Sequence, residues 1–216
     1  MQMEWVMKKT SFFWLAAALM PVFVQAHQAG DFIVRAGTTT VRPAESSDNV
    51  LGLGEFQVSN NTQLGLTFSY MVTDNIGVEL LAATPFKHKV GTPGTGTIAE
   101  VKHLPPSLVA QYYFGDAQDK LRPYLGVGLN YTMFFDEKFN DTGKGAGLSD
   151  LSLKNSWGVA AQAGLDYNLN KNWLLNMSVW WMDIDTDVKF KAGNDQQSIH
   201  TKLDPWAFMF GVGYRF

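Results

Sequence analysis

Five charged residues, Arg35, Glu79, Arg122, Asp166 and Arg215, alternate along the chain with large apolar side chains and share their own side with glycines and polar residues. Three guanidinium groups and two carboxylates gathered on one enclosed surface have the chemistry of an ion-pair network, in which losing one member strands a partly buried charge. Reactive chemistry has weaker candidates. Ser107 with His103 offers a hydroxyl and a base, but no third group to orient the imidazole is evident, so no catalytic residue and no enzyme activity is expected. Asp183, Asp185 and Asp187 share one face and could hold a divalent cation jointly with lipid phosphate. They lack the glycine and final glutamate of an EF-hand loop, however, and read as a solvated loop base. His88, His103 and His200 stand at spacings that match no zinc pattern. The sequence carries neither a metal site nor a cofactor signature.

What must position these residues is a period of two. Alternation of apolar and small or polar residues marks eight segments: 31–41, 62–72, 76–84, 104–114, 121–134, 156–167, 173–185 and 206–216. Only a β-strand puts successive side chains on opposite faces, so each segment is predicted to be a strand with one greasy face. The last sets Trp206, Phe208, Phe210, Val212, Tyr214 and Phe216 against Ala207, Met209, Gly211, Gly213 and Arg215.

At the other end, Lys8 and Lys9 precede an apolar run, 11–24, that is shorter than the ~20 residues of a membrane-spanning helix. Val24-Gln25-Ala26 then offers small residues where a signal peptidase reads, so cleavage between Ala26 and His27 is expected. That leaves 27–216 as one domain. No apolar run of helix-spanning length follows Ala26, which excludes a helical membrane protein but not a barrel. Cysteine is absent, so backbone pairing and packing must hold the exported chain, and a net charge of −3 gives no sign of a nucleic-acid partner.

The links after the second, fourth and sixth segments are short, whereas those after the first, third, fifth and seventh run to about 18 to 22 residues. Short periplasmic turns and long extracellular loops are the pattern of an eight-stranded antiparallel transmembrane barrel in the outer membrane of a Gram-negative bacterium. A lipocalin-like barrel is the soluble alternative, but its greasy face would turn inward. Here the apolar faces end in aromatics, Trp157 and Tyr167 on the sixth segment and Trp173 and Trp181 on the seventh. At ~3.3 Å per residue and a tilt near 40°, the latter pair lies ~20 Å apart, close to the spacing of two aromatic girdles.

With odd strands running up from the periplasm, Glu79, Arg122, Asp166 and Arg215 point inward near the periplasmic end and Arg35 a little higher, as a lumenal network blocking the lower bore. Above them the inward residues turn apolar: Val109 and Met182 line an upper funnel, and Leu81 with Trp180 form the expected constriction. Many other inward positions are glycine or alanine, which either leaves a narrow cavity or makes room for Tyr113, Tyr124 and Trp180. Pro85, Pro105 and Pro106 remove backbone donors near the outer rim of the third and fourth strands, the place for a lateral seam.

The runs 60–91 (NNTQLGLTFSYMVTDNIGVELLAATPFKHKVG), 101–116, 121–135, 147–158 and 203–216 (LDPWAFMFGVGYRF) closely resemble the outer-membrane protein W (OmpW) family over essentially all of 27–216. That resemblance implies an eight-stranded barrel with a narrow hydrophobic lumen passing small hydrophobic solutes. A non-conducting receptor that docks a bacteriocin or phage through its outer loops is the alternative it leaves open. It further implies that outer-membrane lipid and lipopolysaccharide surround the barrel, and that the barrel-assembly machinery reads the terminal row of Phe208, Phe210, Val212, Tyr214 and Phe216. Loss of Phe216 is then expected to hinder assembly, and a change at Arg215 to alter the lumen.

Overall fold

The computed structural model describes residues 27–216; the expected signal peptide, 1–26, lies outside the described residues. Eight strands, β1 (Phe32–Arg42), β2 (Asn61–Met71), β3 (Ile76–Ala83), β4 (Ser107–Tyr113), β5 (Leu121–Phe139), β6 (Ser156–Asn168), β7 (Trp173–Met182) and β8 (Trp206–Arg215), each pair antiparallel with the next in the chain. The sheet closes because β8 returns to β1, in a register running from Ile33 opposite Arg215 to Arg42 opposite Trp206. Closure leaves the barrel with no free edge strand, the condition for strands to sit in hydrocarbon.

The period of two sorts the side chains as the sequence predicts. On β8 Ala207, Met209 and Arg215 are buried while Trp206, Phe208, Phe210 and Val212, and Phe216 just after the strand, are exposed, and on β5 Leu125, Val127 and Leu129 are exposed around small inward residues. So large an apolar belt on the outside would be a liability in water and is a requirement in lipid. Aromatics gather at both edges of the belt. Trp173, Tyr214, Phe216 and Phe32 touch in a chain at the end carrying the short turns, and Trp157 packs on Tyr131 at 4.5 Å at the other. Tyr167 lies at the lower edge over Lys120, and Trp181 lies opposite Trp206 at the upper edge.

The long outer connections are themselves largely strand. Segments Phe86–Thr92 and Gly96–Leu104 form a hairpin that pairs with the upper part of β5, and Gln57–Val58 adds to its edge. Asp185–Ala192 and Asp195–Lys202 form a second hairpin, flanked by Leu148–Leu153 and Ser46–Ser47. The barrel wall thus continues beyond the lipid belt, and Val50, Phe56, Ile98, Phe139, Val188 and Phe190 pack into one apolar cluster between the two outer sheets.

Glycine permits the closest strand contacts. A Cβ on Gly128 would meet the carbonyl oxygen of Leu108 at 1.9 Å, and that atom belongs to the neighbouring backbone, which cannot swing aside. Gly128→Val is expected to lower the fraction of chain that refolds into a barrel by destabilising it roughly 1–3 kcal/mol or more. Gel mobility with and without heating measures that fraction, and an unchanged yield would show that β4 and β5 can spread.

Candidate functional site

The lower bore is built around Arg35, which is fully buried. Its Nη1 donates to Glu79 Oε2 at 2.6 Å and to Ser69 Oγ at 2.6 Å. Its Nη2 donates to Asp166 Oδ2 at 2.5 Å and to Tyr113 Oη at 2.9 Å, while Nε donates to Asp166 Oδ1 at 3.2 Å. Side chains from the surrounding strands complete the two carboxylates. Glu79 Oε1 accepts from Gln111 at 3.0 Å and Gln162 at 2.7 Å; Asp166 Oδ1 accepts from Asn176 at 2.8 Å. His27 Nε2 lies 2.7 Å from Asp166 Oδ2, and its ring stacks on Tyr113 at 4.7 Å. Buried charges persist in a fold only when paired and hydrogen-bonded in this way.

Three of the five expected network members therefore meet. Arg122 stands directly opposite Asp166 in the antiparallel register, yet its guanidinium and that of Arg215 reach down to hold the turns. Arg122 donates to the backbone carbonyls of Phe114, Asp116 and Asp74 at 2.8–3.0 Å, fastening two turns to each other. Arg215 donates from Nε to the carbonyl of Lys171 at 2.8 Å and approaches Asp31 Oδ2 at 3.6 Å. The physical reason is reach: from the lowest inward position of a strand, a long guanidinium side chain meets the unpaired carbonyls of the turn before it meets the centre of the bore. Conversely, Ser69, Gln111, Gln162, Tyr113 and Asn176 are polar inward neighbours that the charge pattern alone passed over. Their signal was available, since Ser69 stands directly opposite Glu79 and Asn176 opposite Asp166 in the antiparallel register.

Directly above this polar floor the chemistry changes. Leu81, Val109, Trp180 and Met182, all at most 3 % exposed, join one apolar cluster with Phe86, Phe134 and Ile184 among others. At the level of the floor itself, Gly164 makes room for Tyr124 as the glycine pattern suggested, because a Cβ there would strike its ring at 2.2 Å. Higher still, between the outer sheets, lie two small adjoining cavities of about 40 Å³ each, which share Phe56, Val90, Val101, Leu153 and Val188 as walls.

The remaining candidates are dispersed. Ser107 donates to the carbonyl of Pro105 and accepts from Asn130, whereas His103 is stacked on His88, so the two do not form a hydroxyl–base pair. His200 stands on the other outer hairpin, 3.2 Å from Asp187, away from those histidines. Asp183 and Asp185 come together with Asp204 rather than with Asp187. Repulsion from Asp185 and Asp204 adds to partial burial in raising the carboxyl of Asp183 above its usual range, with burial the larger cause.

A closed antiparallel barrel of eight strands, belted by apolar residues between two aromatic rings and polar-cored at its short-turn end, is an outer-membrane β-barrel protein of the Gram-negative kind. Residues 28–216 match the OmpW family, and the chain belongs to it. Over 192 residues it is 66 % identical to outer membrane protein W of Escherichia coli (strain K12), covering 88 % of this chain and 91 % of that one. The crystal structure of the outer membrane protein OprG from Pseudomonas aeruginosa superimposes with a TM-score of 0.84 at 44 % identity, covering 89 % of this chain and 99 % of that one. The solid-state NMR structure of outer membrane protein AlkL in lipid bilayers gives a TM-score of 0.69 at 26 % identity, covering 100 % and 97 %.

Proposed function

We propose that the barrel is a passive route by which small hydrophobic molecules pass from the outside into the outer membrane, received in the apolar space between the outer sheets and released sideways. The observation that carries this reading is the vertical order of the interior: apolar cavities above, a packed apolar cluster around Leu81 and Trp180, and a floor of fully satisfied buried charge below. A greasy solute gains by entering the upper space and would pay heavily to displace the ion pairs beneath it.

Support for the sideways step lies in the wall. The ladder between β3 and β4 runs from Ile76 opposite Tyr112 up to Leu81 opposite Ser107, and the chains next pair at Phe86 opposite His103. Between these points stand 82–85 on one side and 104–106 on the other, where Pro85, Pro105 and Pro106 offer no N–H. Pro105 and Pro106 direct their carbonyls toward β5 instead, to Asn130 and to the backbone N–H of Tyr131. Leu81 sits at the lower edge of this gap.

Two alterations test the route through uptake of a radiolabelled alkane by cells carrying the barrel. Leu81→Arg puts a charge at the lower edge of the gap and is expected to cut uptake several-fold. Because the chain has no cysteine, Ala83→Cys with Leu104→Cys can be bridged by a short bismaleimide across the gap, with a similar expected loss. Normal uptake through a folded, bridged barrel would sink the lateral exit.

A further inference from the structure

Lys87 and Lys102 stand directly opposite each other on the two strands of the first outer hairpin. They lie on its outward face, with Phe86, His88, Val101 and His103 buried on the other. Like charges in that position repel and destabilise a sheet. The neighbouring side chains add to the imbalance. Glu100 faces Lys89 across the hairpin and Lys138 on β5, and its Oε2 lies 2.9 Å from Lys87 Nζ and 3.9 Å from Lys138 Nζ. Together the lysines hold the Glu100 carboxyl below its usual range, hydrogen bonding to Lys87 being the largest cause. Lys102 Nζ donates to Asp136 Oδ2 at 2.8 Å. Lys87, Lys89, Lys102 and Lys138 thus share the two carboxylates of Glu100 and Asp136.

The second outer hairpin is charged as well, but its charges are matched. Asp185 stands opposite Lys202 and Asp187 opposite His200, while Lys189 and Lys191 face Ser198 and Gln196. Lys191 also reaches Asp150 at 2.7 Å. The positive surplus is therefore local to the first hairpin, in a chain whose net charge is −3. Its height is fixed by β5. Lys102 pairs in register with Phe135, four residues along from Tyr131 of the upper aromatic ring. At ~3.3 Å per residue and a tilt of ~40°, the lysine row stands roughly 10 Å above that ring, at the level of the sugars and phosphates that head the outer leaflet. Directly below, Leu108 and Leu129 pair and face the hydrocarbon.

We infer that the outward face of the first outer hairpin is a docking surface for lipopolysaccharide, with a phosphate of its lipid A seated between Lys87 and Lys102 and drawing on Lys89 and Lys138. An anion placed there turns repulsion into two charge-assisted contacts. Ammonium groups on flexible four-carbon stems meet it without a fixed geometry. A lipid fits the surface better than a free phosphate, because its acyl chains lie along Leu108 and Leu129 while its head meets the lysines.

The test measures, by native mass spectrometry, how tightly the full barrel in phosphatidylcholine nanodiscs holds bis-phosphorylated lipid A, dephosphorylated lipid A and phosphatidylglycerol. The bis-phosphorylated form is expected to bind most tightly. Lys87→Gln with Lys102→Gln is expected to weaken it about thirtyfold. Lys189→Gln with Lys191→Gln, the same loss of charge on the second hairpin, is expected to leave it unchanged. Heat-dependent gel mobility shows that each variant is folded. In the unaltered protein labelled with ¹⁵N-lysine, the Nζ resonances of Lys87 and Lys102 are expected to move with bis-phosphorylated lipid A and not with the dephosphorylated form, a readout that needs no variant. Equal losses from the two double variants, phosphatidylglycerol held as tightly as lipid A, or unmoved lysine resonances would each overturn the inference.

Discussion

Arg35→Met is expected to destabilise the barrel by roughly 3–5 kcal/mol, because it leaves the carboxylates of Glu79 and Asp166 buried without their common cation. The loss comes from stranded charge rather than from the net worth of the pairs, so the effect carries its own control. Adding Glu79→Gln and Asp166→Asn to the same chain removes the charges that the methionine abandons, and most of the stability is expected to return. Reversible urea unfolding in lipid measures all three variants. If Arg35→Met alone unfolds at the parent midpoint, water reaches the floor and it is not a sealed plug. The single variant is also expected to conduct small ions in a planar bilayer, since hydrating two free carboxylates requires opening the space that the guanidinium fills.

Trp180→Ala is the second large effect. The indole is fully buried at the centre of the apolar cluster, and its Nε1 donates to Ser178 Oγ at 3.2 Å. Truncation costs the transfer of the indole and leaves a void lined by Leu81, Val109, Met182 and their neighbours, which for a large aromatic amounts to about 3–5 kcal/mol. Trp180→Phe retains most of the packing and is expected to lose far less. Unfolding midpoints rank the pair. A loss for alanine no greater than that for phenylalanine would mean that the cluster collapses to fill the hole. Under the proposed function the alanine variant also changes alkane uptake, because the bottleneck below the cavity is gone.

The barrel was legible in the sequence because lipid imposes a binary code. Phe208, Phe210 and Val212 must be apolar where they face hydrocarbon, and nothing comparable constrains Met209 or Gly211 except size, so the period of two stands out. The same code fades where the wall leaves the membrane. Thr186, Val188 and Phe190 alternate inward as faithfully as any barrel row, but their outward partners Asp185, Asp187, Lys189 and Lys191 meet water, so the segment reads as loop although it is strand. Of the floor, Arg35, Glu79 and Asp166 were found by their inward phase alone. The diversion of Arg122 and Arg215 to turn carbonyls depends on how far a side chain sits from the strand end, a matter of register between strands far apart in sequence. His27 was visible only as the residue after a cleavage point, because its place beside Asp166 is set by a bend that joins positions 139 residues apart.

β5 is one unbroken strand of 19 residues. At ~3.3 Å per residue and a tilt of ~40°, it climbs roughly 45 Å, about 20 Å more than the height of the apolar band. The upper end of β5 and the outer hairpin paired with it accordingly stand level with the saccharide coat of the outer leaflet instead of at the hydrocarbon surface. That coat is the layer that keeps greasy compounds out of Gram-negative cells, and under the proposed function a molecule taken up at this height enters the barrel without having to dissolve in the coat.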